Sequence, residues 1–395
     1  MSEFRTIREL CSVVVDCPHS TPKWTANGKI VIRNKNIKHG KIDFSSPSYT
    51  DDEHFAQRIK RAKPQPGDII ITREAPIGDV GMIPENTECC LGQRMVLLRA
   101  NQSVCDNFYL LYSLQSLYVQ HQISWSEGTG TTVSNLRIPH LEQIQIPYLP
   151  LEQQAKISSV LRALEEKIEN NRRLNDNLEQ QAHSYFQELF VDNASPEWTT
   201  GTISDLGTVV GGSTPSKAKP EYYTESGIAW ITPKDLSINK SKFISHGEND
   251  ITELGLKNSS AAIMPEGTVL FSSRAPIGYI AIAAGEVTTN QGFKSVVPKP
   301  EIGTPFVYFF LKNTLPVIEG MASGSTFKEV SGSTMKNVPA VIPDAEILAK
   351  FSDFCAPIFA QQRTLEEQNQ SLAKLRDSLL PKLMSGEIDV SAVHL

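Results

Sequence analysis

The phrase Ala-Pro-Ile-Gly occurs twice, at 75–78 and at 275–278, in a chain of 395 residues. An internal repeat at that spacing constrains the architecture more than any composition, because each copy must fold as a unit and both must fold alike. The match extends outward without a gap: "GDIIITREAPIG" (67–78) aligns with "GTVLFSSRAPIG" (267–278). Both read as a buried strand that opens on glycine and closes in a polar turn containing proline. Upstream, "TIREL" (6–10) matches "TISDL" (202–206), the "STP" at 20–22 matches 213–215, and "IRNKNI" (32–37) lies opposite "ITPKDL" (231–236). Downstream, Gln93 matches Gln291, and two loops rich in Gly, Ser and Thr (126–137 and 322–336) each lead into a strand-like run that ends in proline. The two large segments are diverged copies of one domain. Each is mostly short strands with one helical stretch, at 106–123 and 304–321.

The segment after each copy has a different pattern. Residues 151–190 contain neither Pro nor Gly, and Ile157, Leu161, Leu164 and Ile168, then Leu178, Ala182, Tyr185 and Leu189, recur at steps of four, three and four. This is a coiled-coil stripe, with Asn171 and Asn175 filling its gap. At 1.5 Å per residue the helix would be about 57 Å long. A second stripe runs through Phe351, Cys355, Ile358, Leu365, Leu372 and Leu379, with Gln362 and Asn369 at interior polar points. Pro357 should kink or interrupt this helix, and Pro381 should end it. A single amphipathic helix of this length is not stable alone. The expected fold is therefore α+β: two homologous, mostly β domains (1–150 and 193–343) separated by two helical segments (151–192 and 344–395). The helices pair as an antiparallel coiled coil, with the two heads related by a pseudo-twofold axis and the interior Asn and Gln setting register.

Bulk properties narrow the class. No apolar run approaches the ~18 residues of a membrane span, and the N-terminal "MSEFRTIREL" lacks the apolar core of a secretory signal. The six cysteines form no C-x-x-C pair, so a reduced, cytoplasmic setting is the simplest reading. The formal charge of −6 is unevenly spread: +1 over 1–150, −3 over 151–195, −1 over 196–343 and −3 over 344–395. Two near-neutral heads with local basic clusters permit nucleic-acid binding by patches. Phosphate-loop, zinc-protease, nucleophile-elbow and dinucleotide motifs are absent, and "GGSTPSKAK" (211–219) is a superficial echo of the first. The histidines of the two copies do not correspond, whereas a duplicated active site should retain its acid, base or ligands in both. A self-contained enzyme is disfavoured. Two similar but diverged heads suit a bipartite, asymmetric target, and DNA, with a helical repeat of ~34 Å, is a natural ruler.

In its ordered set of motifs the chain resembles the specificity subunits of type I restriction–modification enzymes. The resemblance rests on the two recognition-domain copies and on "PLEQQAKISSVLRALEEKI" (150–168). "ISDLGTVVGGSTPSK" (203–217), "TTNQGF" (288–293) and "LRDSLLPKLMSGEIDV" (375–390) complete the set. It implies a non-catalytic subunit whose two recognition domains each read one half of a gapped, asymmetric site in the major groove of double-stranded DNA. It further implies recruitment of two methyltransferase subunits and two motor/restriction subunits. No cofactor would belong to this chain; S-adenosylmethionine, ATP and Mg²⁺ would belong to those partners.

The shared Ala-Pro-Ile-Gly is read as a rigid turn, since a phrase common to both heads cannot distinguish two half-sites. Arg73 and Arg274 beside it are candidates for phosphate contacts or for pairing inside the domain. Base-reading candidates are the residues that differ between copies. In the first head these are Arg33, Asn34, Lys35, Asn36 and Lys38, with Lys23 nearby, because Arg and Lys suit guanine and Asn suits adenine. "RIKRAK" (58–63) is either a second basic cluster or a solvated loop. In the second head Ser216, Lys217, Lys219, Tyr222 and Lys234 occupy comparable places. Thr129 and Thr131 in one Ser/Thr loop, and Ser325 and Lys328 in the other, are candidates for phosphates. The helix–helix interface is expected at Ile157, Leu161, Leu164, Ile168, Asn171, Asn175 and Leu178 against Ile358, Leu365, Asn369, Leu372 and Leu379. The alternative is a coiled-coil scaffold that binds only proteins.

Overall fold

The computed structural model describes residues 3–74, 76–125, 135–324, 328–391 and 393. The chain divides in space differently from its segmentation in sequence. One compact unit comprises Met1–Ile168 with Ser371–Leu395, the other Glu169–Gln370. Each unit thus takes one β-rich copy together with a stretch of both long helices.

In the first unit, Cys11–Asp16, Met95–Ala100, Ile69–Arg73 and Ile77–Met82 form an antiparallel sheet in that order. A second sheet joins Ser48–Thr50, Lys29–Ile32 and Cys89–Leu91, the last pair parallel. The second unit repeats both. Its first sheet runs Gly207–Gly211, Lys294–Pro298, Val269–Ser273 and Ile277–Ala283, with Phe243–Ile244 added in parallel at the edge. Its second joins Tyr223–Thr224, Asn249–Ile251, Ile228–Ile231 and Thr288–Thr289, the last pair again parallel.

The shared phrases carry shared geometry. Glu9 and Asp205 each accept from the backbone N–H of the threonine three residues earlier, at 2.7 Å and 2.8 Å, closing capping boxes on Ile7–Leu10 and Ile203–Leu206. Near the ends of strands Ile69–Arg73 and Val269–Ser273 the register slips at Thr72 and at Ser272. Their buried hydroxyls accept from Asp79 N (3.0 Å) and Tyr279 N (2.8 Å), pinning the turn between. Gly78 and Gly278 both have positive φ, 83° and 94°, and a Cβ at Gly278 would come within 2.7 Å of Leu315. This turn is a feature of the frame.

The helices depart from expectation in two ways. The stretch expected as one helix over 106–123 is two, Asn107–Gln115 and Leu117–Trp125, because Ser116 turns extended and its hydroxyl bonds back to Ser113 O at 2.6 Å. Its counterpart, Thr304–Met321, runs unbroken through Pro316. More consequential, the second long helix extends from Ala345 to Ser385, so Pro357 does not interrupt it and Pro381 does not end it. Both prolines are exposed. The carbonyl each leaves without a donor therefore faces water, and packing on the opposite face holds the helix together. The first long helix spans Leu151–Gln187 and closes in a π turn, Glu188–Asp192. Among the described residues, no helix is long and apolar enough to cross a membrane.

The two helices meet antiparallel within each unit. In the first, buried Ile157 and Leu161 share a core with Leu383 and Met384, with half-buried Leu379 against it, and Arg376 reaches Glu165 at 3.7 Å. In the second, Asn171 Nδ2 donates to Asn369 Oδ1 at 3.0 Å, and Gln362 Nε2 donates to Asn175 O at 3.1 Å. Ala182 and Phe186 pack with Phe351, Cys355 and Ile358. Ile168 and Leu365 are buried, while Leu164, Leu178 and Leu372 are half-buried.

Candidate nucleic-acid interface

A cleft of about 480 Å³ opens on the second unit, lined among others by Thr214, Lys217, Trp230, Lys234, Glu248, Asn249, Arg274, Asn290 and Gln291. Local structure places each group. Strand Ile228–Ile231 runs into Thr232, which caps Pro233–Ile238 in a capping box with Asp235. Buried Asp235 accepts from Thr232 N at 2.7 Å and from Glu248 N at 2.8 Å, joining two walls of the cleft. Lys234, one residue earlier, is exposed at the rim and ion-paired to Glu248 at 2.5 Å. The 211–219 loop is anchored by Ser213 N to Thr289 O (2.9 Å), by the Trp230 indole to Ser213 O (3.0 Å) and by the Tyr223 hydroxyl to Pro215 O (2.6 Å). Asn290 Oδ1 accepts from Gly292 N at 2.8 Å. Arg274 follows the central strand and pairs with Glu329 at 3.4 Å, which also faces Lys294 at 3.8 Å. Burial pushes the Lys294 ammonium below its usual range despite that carboxylate.

Three cations and three amides thus share a cleft whose lining carries one carboxylate. Such groups suit phosphate oxygens and base edges together. Lys217, Lys234 and Arg274 are brought together here. Lys219 instead donates to the hydroxyl of buried Tyr222 at 3.0 Å, which fixes the loop; Ser216 and Lys328 are exposed outside the cleft lining. Trp230, Glu248, Asn249 and Asn290 were not anticipated from sequence. Gln291 carried a signal, as a repeat anchor matching Gln93.

In the first unit the candidates divide. Exposed Arg33 lies over the Trp24 ring at 4.9 Å, and exposed Lys35 donates to Ser46 Oγ at 3.0 Å. Lys23 pairs with Asp51 and Lys38 with Asp43, each at 3.3 Å. Asn34 Nδ2 donates to Glu74 O at 2.7 Å. Asn36 is buried and its amide is committed to the fold: Oδ1 accepts from Arg33 N (3.0 Å) and Nδ2 donates to Asp43 O (2.9 Å). It is the counterpart of the capping Asp235, which explains why an amide there faces inward. Arg73 is also buried; it meets both Asp16 oxygens at 2.8 Å, Leu136 O at 2.9 Å and Asn135 at 3.2 Å. Of the two roles open to Arg73, internal pairing is the one the structure fills, whereas Arg274 remains at a cleft wall. Thr129, Thr131 and Ser325 lie outside the described residues.

Known proteins match along the same division into two copies. Residues 3–180 and 196–373 each match the type I restriction modification DNA specificity domain. The chain is 38% identical over 192 residues to the type I restriction enzyme MjaIX specificity subunit of Methanocaldococcus jannaschii, a match covering 48% of this chain and 44% of that protein. It is 28% identical over 194 residues to the HindI specificity subunit of Haemophilus influenzae, covering 48% and 42%. These matches span less than half the length of either relative. The putative MjaX specificity subunit of M. jannaschii is 21% identical over 98% of this chain and 94% of its own. A crystal structure of a type I restriction–modification S subunit from M. genitalium shares the fold, with a TM-score of 0.61 at 19% identity over 97% of this chain and 96% of that one. With both halves matched, the chain belongs to the type I restriction–modification DNA specificity family.

Proposed function

We propose that the chain is a DNA sequence-specificity subunit that reads an asymmetric, bipartite, gapped site in double-stranded DNA, one half-site per unit. The observation that carries this reading is one frame built twice with different polar edges. Arg33, Trp24 and Lys35 mark the edge in the first unit, and the Lys217–Lys234–Arg274 cleft marks it in the second. Equal frames give equivalent docking on duplex, and unequal side chains give unequal half-sites. On this reading the subunit performs no chemistry. It recruits two adenine methyltransferase subunits, and then two motor/restriction subunits, which bring S-adenosylmethionine, ATP and Mg²⁺, and it works in the cytoplasm.

The test is to map methylated adenines across the host genome with and without the gene. One bipartite motif that disappears on deletion supports the reading, and an unchanged methylation pattern overturns it.

A further inference from the structure

Arg58 begins the basic run "RIKRAK", yet its guanidinium is not solvated. It closes the helix Asp52–Arg58 and is buried. Its four partners are all backbone carbonyls: Leu91 O at 2.7 Å, Gly92 O at 2.8 Å, Ser20 O at 3.0 Å and Pro18 O at 3.2 Å. Two lie in the loop after strand Cys11–Asp16 and two at the end of strand Cys89–Leu91 and the glycine that follows, so the rigid fork of donors rivets that loop to the strand end. The next residue after Gly92 crosses the same junction, since Gln93 Nε2 donates to His19 O. A carbonyl can only accept, so this bond determines which end of the amide faces His19. Oε1 and the second N–H of Gln93 have no partner among the described residues, and that pair fits the N6/N7 edge of adenine.

The second unit presents its matching glutamine by other means. There the Thr214 hydroxyl donates to Gln291 Oε1, and Tyr223 and Trp230 hold the adjoining loop. The same residue type therefore offers a different hydrogen-bonding face in each unit. A shared letter can in this way serve two different half-sites.

We propose that Arg58 is a positioning residue for base reading: by riveting Pro18–Ser20 to Leu91–Gly92 it holds the Gln93 amide in the orientation that reads an adenine in the half-site contacted by the first unit. The assignment rests on the DNA-specificity reading above. Arg58 itself touches no base.

The test uses the full chain in complex with its methyltransferase subunits, assayed on duplexes carrying every base at each position of the wild-type motif. Arg58→Met removes the donors and keeps much of the volume, and Gln93→Ala removes the reading group at a half-exposed position where folding is not at stake. Both variants are expected to raise methylation of duplexes with a wrong base at one and the same adenine position by tenfold or more relative to the wild-type motif. The other half-site and the salt dependence should stay unchanged. Arg58→Lys, with one short cationic head in place of the fork, should recover only part of the discrimination. A uniform loss of methylation in Arg58→Met, without relaxation, passes the decision on Arg58 to Arg58→Lys, and wild-type discrimination in that variant overturns the proposal. Unaltered discrimination in Gln93→Ala, or relaxation at a base other than adenine, overturns it as well. A wild-type complex with no bipartite motif overturns the specificity reading itself, whatever the variants do.

Discussion

Arg73 and Arg274 differ by one position relative to the same turn, and that step separates two kinds of chemistry. Arg73 points into the first unit onto Asp16, with the pair 10% and 18% exposed. Arg274 lies on a cleft wall, 37% exposed, against Glu329. Arg73→Ala should therefore destabilise the first unit by about 2 kcal/mol, because half-buried Asp16 loses the guanidinium, keeping only His19 beside it at 3.0 Å, and Leu136 O and Asn135 lose their donor. Arg274→Ala should leave the melting temperature within a degree or two, weaken DNA binding by the assembled complex and lower the salt slope of log K by about one. Thermal melts and binding titrations over a salt series distinguish them. A large loss of stability in Arg274→Ala would sink its assignment to the interface.

Among the elements, the helix pair is defined by its polar layer as much as by its apolar stripe. Asn171 meets Asn369, and Asn175 Oδ1 is buried with no hydrogen-bond partner among the described residues. Removing one member of the Asn171–Asn369 pair should cost about 1–2 kcal/mol, since the other amide is left unsatisfied. Replacing both with Leu should raise the melting temperature above wild type while loosening register. Cysteine crosslinking between the helices would then report more than one pairing. A double variant less stable than either single one would contradict this account. The prolines teach the same lesson from the other side: Pro357 and Pro381 stay inside a helix of 41 residues because both lie on its exposed face.

Across the whole molecule, each long helix is also part of the β-rich units it joins, and the second unit shows how. Buried Lys242, beside the edge strand Phe243–Ile244, ion-pairs with Glu179 of the first long helix and donates to Gln362 of the second at 2.6 Å. Glu179 also takes Lys312 at 2.6 Å and the Tyr308 hydroxyl at 3.1 Å. Burial alone would raise the Glu179 carboxyl, but the two lysines outweigh it and hold it at about 2, against an ordinary 4.5. A lowered carboxyl stabilises the fold above its unfolded value and loses that contribution as pH falls through its folded value. The second unit should therefore lose stability between about pH 4.5 and pH 2. Glu366, raised by burial, partly offsets this loss. Glu179→Gln should cost about 3–5 kcal/mol at pH 7 by leaving Lys242 unpaired, and its acid limb should be flatter. Circular dichroism followed over pH checks both, and parallel acid limbs would refute the assignment.

Much of this was legible in the letters. Short apolar runs bounded by glycine and proline located the paired strands, heptad spacing located both long helices, and the ordered repeat required two like units, because local patterning and capping residues act over a few neighbours. Gln93 and Gln291 could be matched as anchors from sequence alone. What the letters could not carry was direction and partnership at long range. Arg58 reads as a surface cation until four carbonyls 33 to 40 positions away, from a loop and a strand end, close on it. Asn36 reads as a base contact although its partners, Arg33 N and Asp43 O, are near in sequence, because only the folded turn aims its amide at them. Sequence by itself determined the repeat, the element types and the heptad stripes, since those depend on spacing along one chain. Tertiary structure alone decided which charged and amide groups face outward, because burial is set by the whole fold and the partners of groups such as Arg58 and Arg73 lie tens of positions away.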